Sequence, residues 1–147
     1  MFYPDKIFID QLSSGERFIF LKIICGLVAS DRQVTKHELI YLKEVGLKYE
    51  TNSDTLIEMI KTTDRKSAIL LARKITNRAH ALVLIKDLCM VANKDTSLED
   101  LEIEYILDIA DAMNIEPMKV REINDIVNEY LFVAKKASVI LEQETQI

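Results

Sequence analysis

Glycine and proline are scarce, three and two in 147 residues. That scarcity excludes long turn-rich β folds and loop-rich folds, which need those residues at their corners. A basic surplus is also missing. The net charge is −5 and the pI about 5.1, so the electrostatic footprint of a nucleic-acid binder is absent. The densest cationic stretch, Lys61, Arg65, Lys66, Arg73, Lys74 and Arg78, is helix-spaced among apolar residues and reads as a solvated face; Lys135 and Lys136 form a second small group. The longest apolar runs, FIFLKIICGLVA and ALVLIKDLCMVA, are each broken by a lysine. Both fall short of the ~20 residues that span a bilayer. The opening MFYPDKIFIDQ carries Asp5 early and has no long apolar centre, so it does not read as a secretory leader. Two cysteines and no leader point to reduced thiols in a cytoplasm. There is no Gly-rich phosphate loop, no GxSxG, no HExxH and no CxxC. Neither histidine sits three residues after a glutamate, as a ferritin-like di-iron site requires. The sequence therefore reads as a non-enzyme.

What is present is helical. Hydrophobic residues at 49% and charged residues at 29% suit a soluble chain, and the length suits one domain with a real core. Ser13 with Glu16 forms a capping box ahead of a helix over about 14–29, and Thr35 with Glu38 another ahead of one to about 49. Further helices are predicted over about 53–61, 64–77, 78–92 and 97–113. Pro117 suits a first helical position and opens one toward 132, and a C-terminal helix is predicted over 134–142. No segment alternates with period two. The expectation is one all-α domain, 1–147, of seven or eight helices with its core over about 15–131. The two nearly all-apolar helices, 17–29 and 81–92, belong at the centre, because a helix apolar on most faces must be surrounded.

The chain also spells one pattern twice. Shifted by 64 positions, Lys22 meets Lys86, Cys25 meets Cys89, Asp31 meets Asp95, Glu38 meets Glu102 and Tyr41 meets Tyr105. Five identities in one register exceed the roughly two that ordinary residue frequencies give over such a span. The predicted unit is a buried helix, a short acidic loop and an amphipathic helix, giving two pseudo-repeated hairpins.

The segments VASDRQVTKHELIYL and VANKDTSLEDLEIEYI resemble the signature of the tellurite-resistance TerB family and of the related domain of DjlA-type DnaJ-like co-chaperones. In that signature an apolar helix ends in Ala, Asp-Gly follows, an apolar residue stands three after the Asp and a Glu seven after it. Arg32 and Thr96 replace the usual Gly, which reshapes the turn or costs about 1 kcal/mol in a left-handed conformation. The resemblance covers about residues 15–131. It implies a TerB-like helical bundle, a role in stress response including tellurite-type stress, often near membrane-associated machinery, and an acidic surface with cation binding as its proposed use.

The candidate metal ligands are Asp31, Glu38, Asp95 and Glu102. Carboxylate oxygens suit a hard divalent cation of the Ca²⁺ or Mg²⁺ type, provided the two loops come to one end of the molecule. The competing reading is helix capping: Glu38 stands three after Thr35, and acids in a first turn favour the helix dipole. An EF-hand is excluded, since Leu98 stands at its glycine position and Asp100 at its apolar one. Cys25 and Cys89 read as small core hydrophobes, His37 as an exposed first-turn residue and His80 as an edge residue. The stretch EYLFVAKKASVILEQ carries more apolar residues than a helix docked on one side needs. Either it closes the core, or Tyr130, Phe132, Val139 and Ile140 form a contact with a protein partner or a homodimer.

Overall fold

The computed structural model describes residues 5–30, 36–93 and 100–145. Among them are eight α-helices and no strand: α1 (Lys6–Gln11), α2 (Ser14–Ala29), α3 (Lys36–Lys48), α4 (Ser53–Thr62), α5 (Arg65–Ala72), α6 (Arg78–Asn93), α7 (Asp100–Ala112) and α8 (Pro117–Thr145). The chain is all-α, as expected from its composition.

Local chemistry sets most of the helix ends. The predicted box at the head of α2 forms on both sides: Glu16 N–H donates to Ser13 Oγ at 3.1 Å, and Ser13 N–H donates to Glu16 Oε1 at 3.2 Å. Asn52 and Asp64 cap α4 and α5 by accepting from the N–H groups of Thr55 and Ser67. Asn77 accepts from His80 N–H at the head of α6. α3 and α7 both end with a non-glycine residue in the left-handed region, Glu50 (φ 57) and Asn114 (φ 60). In each, the next N–H reaches back five residues, Thr51 to Gly46 O and Ile115 to Ala110 O, both at 2.8 Å. This is the Schellman closure, which satisfies carbonyls that would otherwise be orphaned.

α2 and α6 lie at the centre, as their apolar character requires. Phe20, Ile23, Ile24, Leu27 and Val28 of α2 are buried against Leu84, Ile85, Leu88 and Met90 of α6 within one core. α4 and α5 pack on α2, α7 packs on α5 and α6, and α8 packs on α6 and α7. The bounds of α2 and α3 and the first residue of α4, each moved by 64, are those of α6, α7 and α8. The two left-handed residues, 50 and 114, keep the same offset.

The structure departs from the predicted elements in three places. α1 was not foreseen; Asp5 caps it by accepting from Ile7 N–H, and it is held by burial of Ile9 and Leu12. The helix expected over 64–77 stops at Ala72, since Lys74 and Ile75 turn back onto Leu71 O and Ala72 O and Asn77 serves the next helix. The helices expected to 132 and over 134–142 are one uninterrupted helix, because no glycine or proline stands between Pro117 and Thr145.

Candidate functional site

The four candidate ligands fall at the two interhelical loops. Asp31 and Asp95 lie outside the described residues, as does Thr35, so the Thr35–Glu38 box also lies there. Glu38 is the third residue of α3 and Glu102 the third of α7. Both are buried, at 4% and 5% exposure. A first-turn acid that only offsets a helix dipole normally faces water, so two glutamates sealed in at the same helical position are unusual for that role alone. Among the described residues no group of three or more His, Cys, Asp or Glu side chains is placed to hold a metal ion.

The cysteines behave as hydrophobes. Cys25 and Cys89 are buried and unbridged, and burial pushes each thiol up to about 12. A thiol held neutral is neither nucleophile nor metal ligand. His80 sits edge-on to Phe8 at 5.3 Å between ring centroids, with Nδ1 3.4 Å from Glu16 Oε2. That is the satisfied edge residue the sequence suggested. The side chain of His37 lies outside the described residues.

Tyr41 and Tyr105 are both fully buried. The Tyr105 hydroxyl donates to Ile23 O at 2.6 Å, in a space made by Gly26. A Cβ on Gly26 would collide with that hydroxyl. This phenol therefore locks α7 onto α2, and burial raises its ionisation well above the ordinary tyrosine range.

Sequence reasoning missed Asp87. It lies on α6 with 2% of its surface exposed, and desolvation drives its carboxyl up while the neighbouring Lys86 ammonium opposes the shift. Lys86 Nζ is 2.6 Å from Asp87 Oδ1, at an angle that makes no well-formed hydrogen bond. The Tyr49 phenol, pushed up chiefly by burial, also feels this carboxylate. A visible sign existed: Asp87 is the one acid inside ALVLIKDLCMVA, in register with Ile23.

Open grooves lie among the described residues, and three of them are well defined. One of about 380 Å³ is lined by Gly26, Ser30, Lys61, Thr63 and Arg65 among others, one of about 430 Å³ by Arg65, Ile69 and Arg73, and one of about 410 Å³ by Phe18, Lys22 and Glu58. Neither Glu38 nor Glu102 lines any of the three. The predicted solvated cationic face is exposed at all six positions, and two of its residues are paired: Arg65 binds Asp108 and Glu104 on α7, and Arg78 binds Glu116.

The candidate contact residues sit on α8, 29 residues long and so about 43 Å. Val120 and Val127 are buried against the core; past Val127 no described side chain of the helix is. Tyr130 is half-buried. Phe132 is 70% exposed, and Val133, Val139, Ile140 and Leu141 are also exposed. Of the two readings of this stretch, closure of the core fits α8 as far as Tyr130 and Leu131, which are half-buried and pack against the core. No helix among the described residues is long and apolar enough to cross a membrane.

Comparison with known proteins finds no matching family model, no matching curated protein and no matching solved structure.

Proposed function

We propose that this chain is a TerB-like, non-enzymatic protein-interaction module, built from one helical hairpin used twice, whose contact surface is the projecting half of α8. The observation that carries the reading is the run of exposed apolar side chains at Phe132, Val133, Val139, Ile140 and Leu141 on a helix that has left its own core. Exposed apolar side chains gathered on one element mark association sites. The stress-response role and cytoplasmic location implied by the TerB resemblance belong to this proposal. The test is capture of partners from the native cell by the full chain and by Phe132→Ser/Ile140→Ser. Loss of a captured protein in the variant supports the surface; identical capture removes it.

A second reading, in which the acidic loops hold a divalent cation, is favoured by the burial of Glu38 and Glu102 at the same position of their helices. If sites exist in the folded state, Ca²⁺, Mg²⁺ or Mn²⁺ added to chelator-treated protein raises the Tm, by mass action. No shift at millimolar concentration, or the same shift in Asp31→Asn/Asp95→Asn, removes the cation. The acids are then helix caps in a structural, co-chaperone-like domain.

A further inference from the structure

We infer that the occupant of the projecting half of α8 is the same segment of a second copy of this chain, running antiparallel. This rests on the reading of that half as a contact surface and names its partner.

The residues spaced four and three apart along α8 are Ile126, Tyr130, Val133, Ala137 and Ile140, the a/d seam of a two-helix coiled coil. Val133 is 61% and Ile140 52% exposed. The seam begins at the half-exposed Ile126, beside the buried Val127; Tyr130 lies at the edge of the protein's own core, against which it packs, and the seam leaves that core at Val133. Small Ala137 between larger side chains leaves room for a facing residue to insert.

The flanks of the seam are unlike. On one side stand Val127, Ala134 and Leu141, all apolar. On the other, seven residues apart, stand Glu129 and Lys136, both exposed. In a parallel pair the two unlike flanks meet, so Glu129 would face alanine and Lys136 would face leucine. In an antiparallel pair like flanks meet. When Tyr130 packs on Val133 of the second copy, Glu129 lies opposite the second copy's Lys136, and twofold symmetry repeats the pair. Orientation and register are thus fixed together by charge. In that register Ile126 and Ala137 face one another across the pair, and the far end of each helix lies along the outer side of the other's docked half. The half-exposed Ile126 and the neighbouring Met118 are presented on that stretch.

The experiment is sedimentation equilibrium on the full chain and on charge-reversed variants at exposed positions. Wild type is expected to be a dimer, and Val133→Glu a monomer with its helical circular dichroism retained. Glu129→Lys and Lys136→Glu each place like charges together twice and weaken the dimer by about tenfold. Glu129→Lys/Lys136→Glu restores it. A wild-type chain monomeric at about 100 μM overturns the inference, as does a double reversal no tighter than the singles. If the monomeric wild type still loses a captured cellular protein on Val133→Glu, the contact surface stands and only the second copy is wrong. If Val133→Glu changes nothing, both fall.

Discussion

α4 and α8 begin 64 residues apart, at Ser53 and Pro117, and end very differently. α4 stops at Thr62, and the chain turns and starts α5. α8 passes the corresponding position, Ile126, and runs on to Thr145. The difference lies in three side chains. In the first half Thr62 turns its hydroxyl onto Glu58 O, Thr63 takes an extended backbone, and Asp64 spends its carboxylate on capping α5. In the second half Ile126, Val127 and Asn128 stand there, and none of them is engaged in starting a new helix. Helix length here is decided by what competes for the backbone at its end, since hydroxyl and carboxylate side chains offer the chain an alternative to the next turn. One half closes on itself and the other carries an apolar seam into solvent.

The largest effect expected from breaking this comparison is in the centre. Ile24→Ala in α2 and Leu88→Ala in α6 remove fully buried side chains at matching positions and are each expected to cost ~2–5 kcal/mol. Similar losses in urea unfolding would mark two equivalent hairpins; a loss confined to one would mark a single dominant core. Next is Gly26→Ala. Alanine is the better helix former by about 0.5–1 kcal/mol, yet its methyl collides with the Tyr105 hydroxyl. A net loss of ~1–3 kcal/mol is expected. Tyr105→Phe in the same background should recover part of it if the hydroxyl is the obstacle.

Smaller, and of opposite sign, is Thr63→Val. The Thr63 hydroxyl is buried without a hydrogen-bond partner, and the second half has Val127 in that place. A gain of up to ~1 kcal/mol in the free energy of urea unfolding is expected, with α5 still separate because Asp64 remains. The last is a pH test of Asp87, the one buried acid among the described residues that stands in register with an apolar residue, Ile23. Burial raises its carboxyl above the ordinary range, so the folded state holds its proton more tightly than the unfolded chain does. That contribution is complete below the unfolded value near pH 4 and fades as pH rises through the folded value. Wild type should therefore lose stability relative to Asp87→Asn as pH climbs from 4 toward neutrality. A difference flat with pH would mean that Asp87 stays ionised and paired with Lys86.

Much of the fold was legible because it is written in short-range chemistry. Ser13 with Glu16, Pro117 and the unbroken apolar faces of α2 and α6 each act within a turn or two, so the all-α class, the central pair and most helix bounds follow from them. What was not legible depends on distant partners. α1 forms because Ile9 and Leu12 find a core, a fact no hexapeptide contains. Asp87 looked like one charge in an apolar run, and only packing decides that such a charge is buried. The break expected after residue 132 had no glycine or proline behind it, so the backbone had no reason to stop there. Of the candidate ligands, burial of Glu38 and Glu102 distinguishes them from ordinary first-turn acids, and sequence spacing alone carries no information about burial.

Cys25 and Cys89 stand at the same position along α2 and α6, the two central helices, sealed and un-ionised. A thiol-blocking reagent reaches either one only when its surroundings open. The two peptides are separable by mass, so their labelling rates form a pair of clocks already installed in the protein. Clocks that run together report a single concerted breathing event, whereas clocks that diverge report which hairpin lets go first.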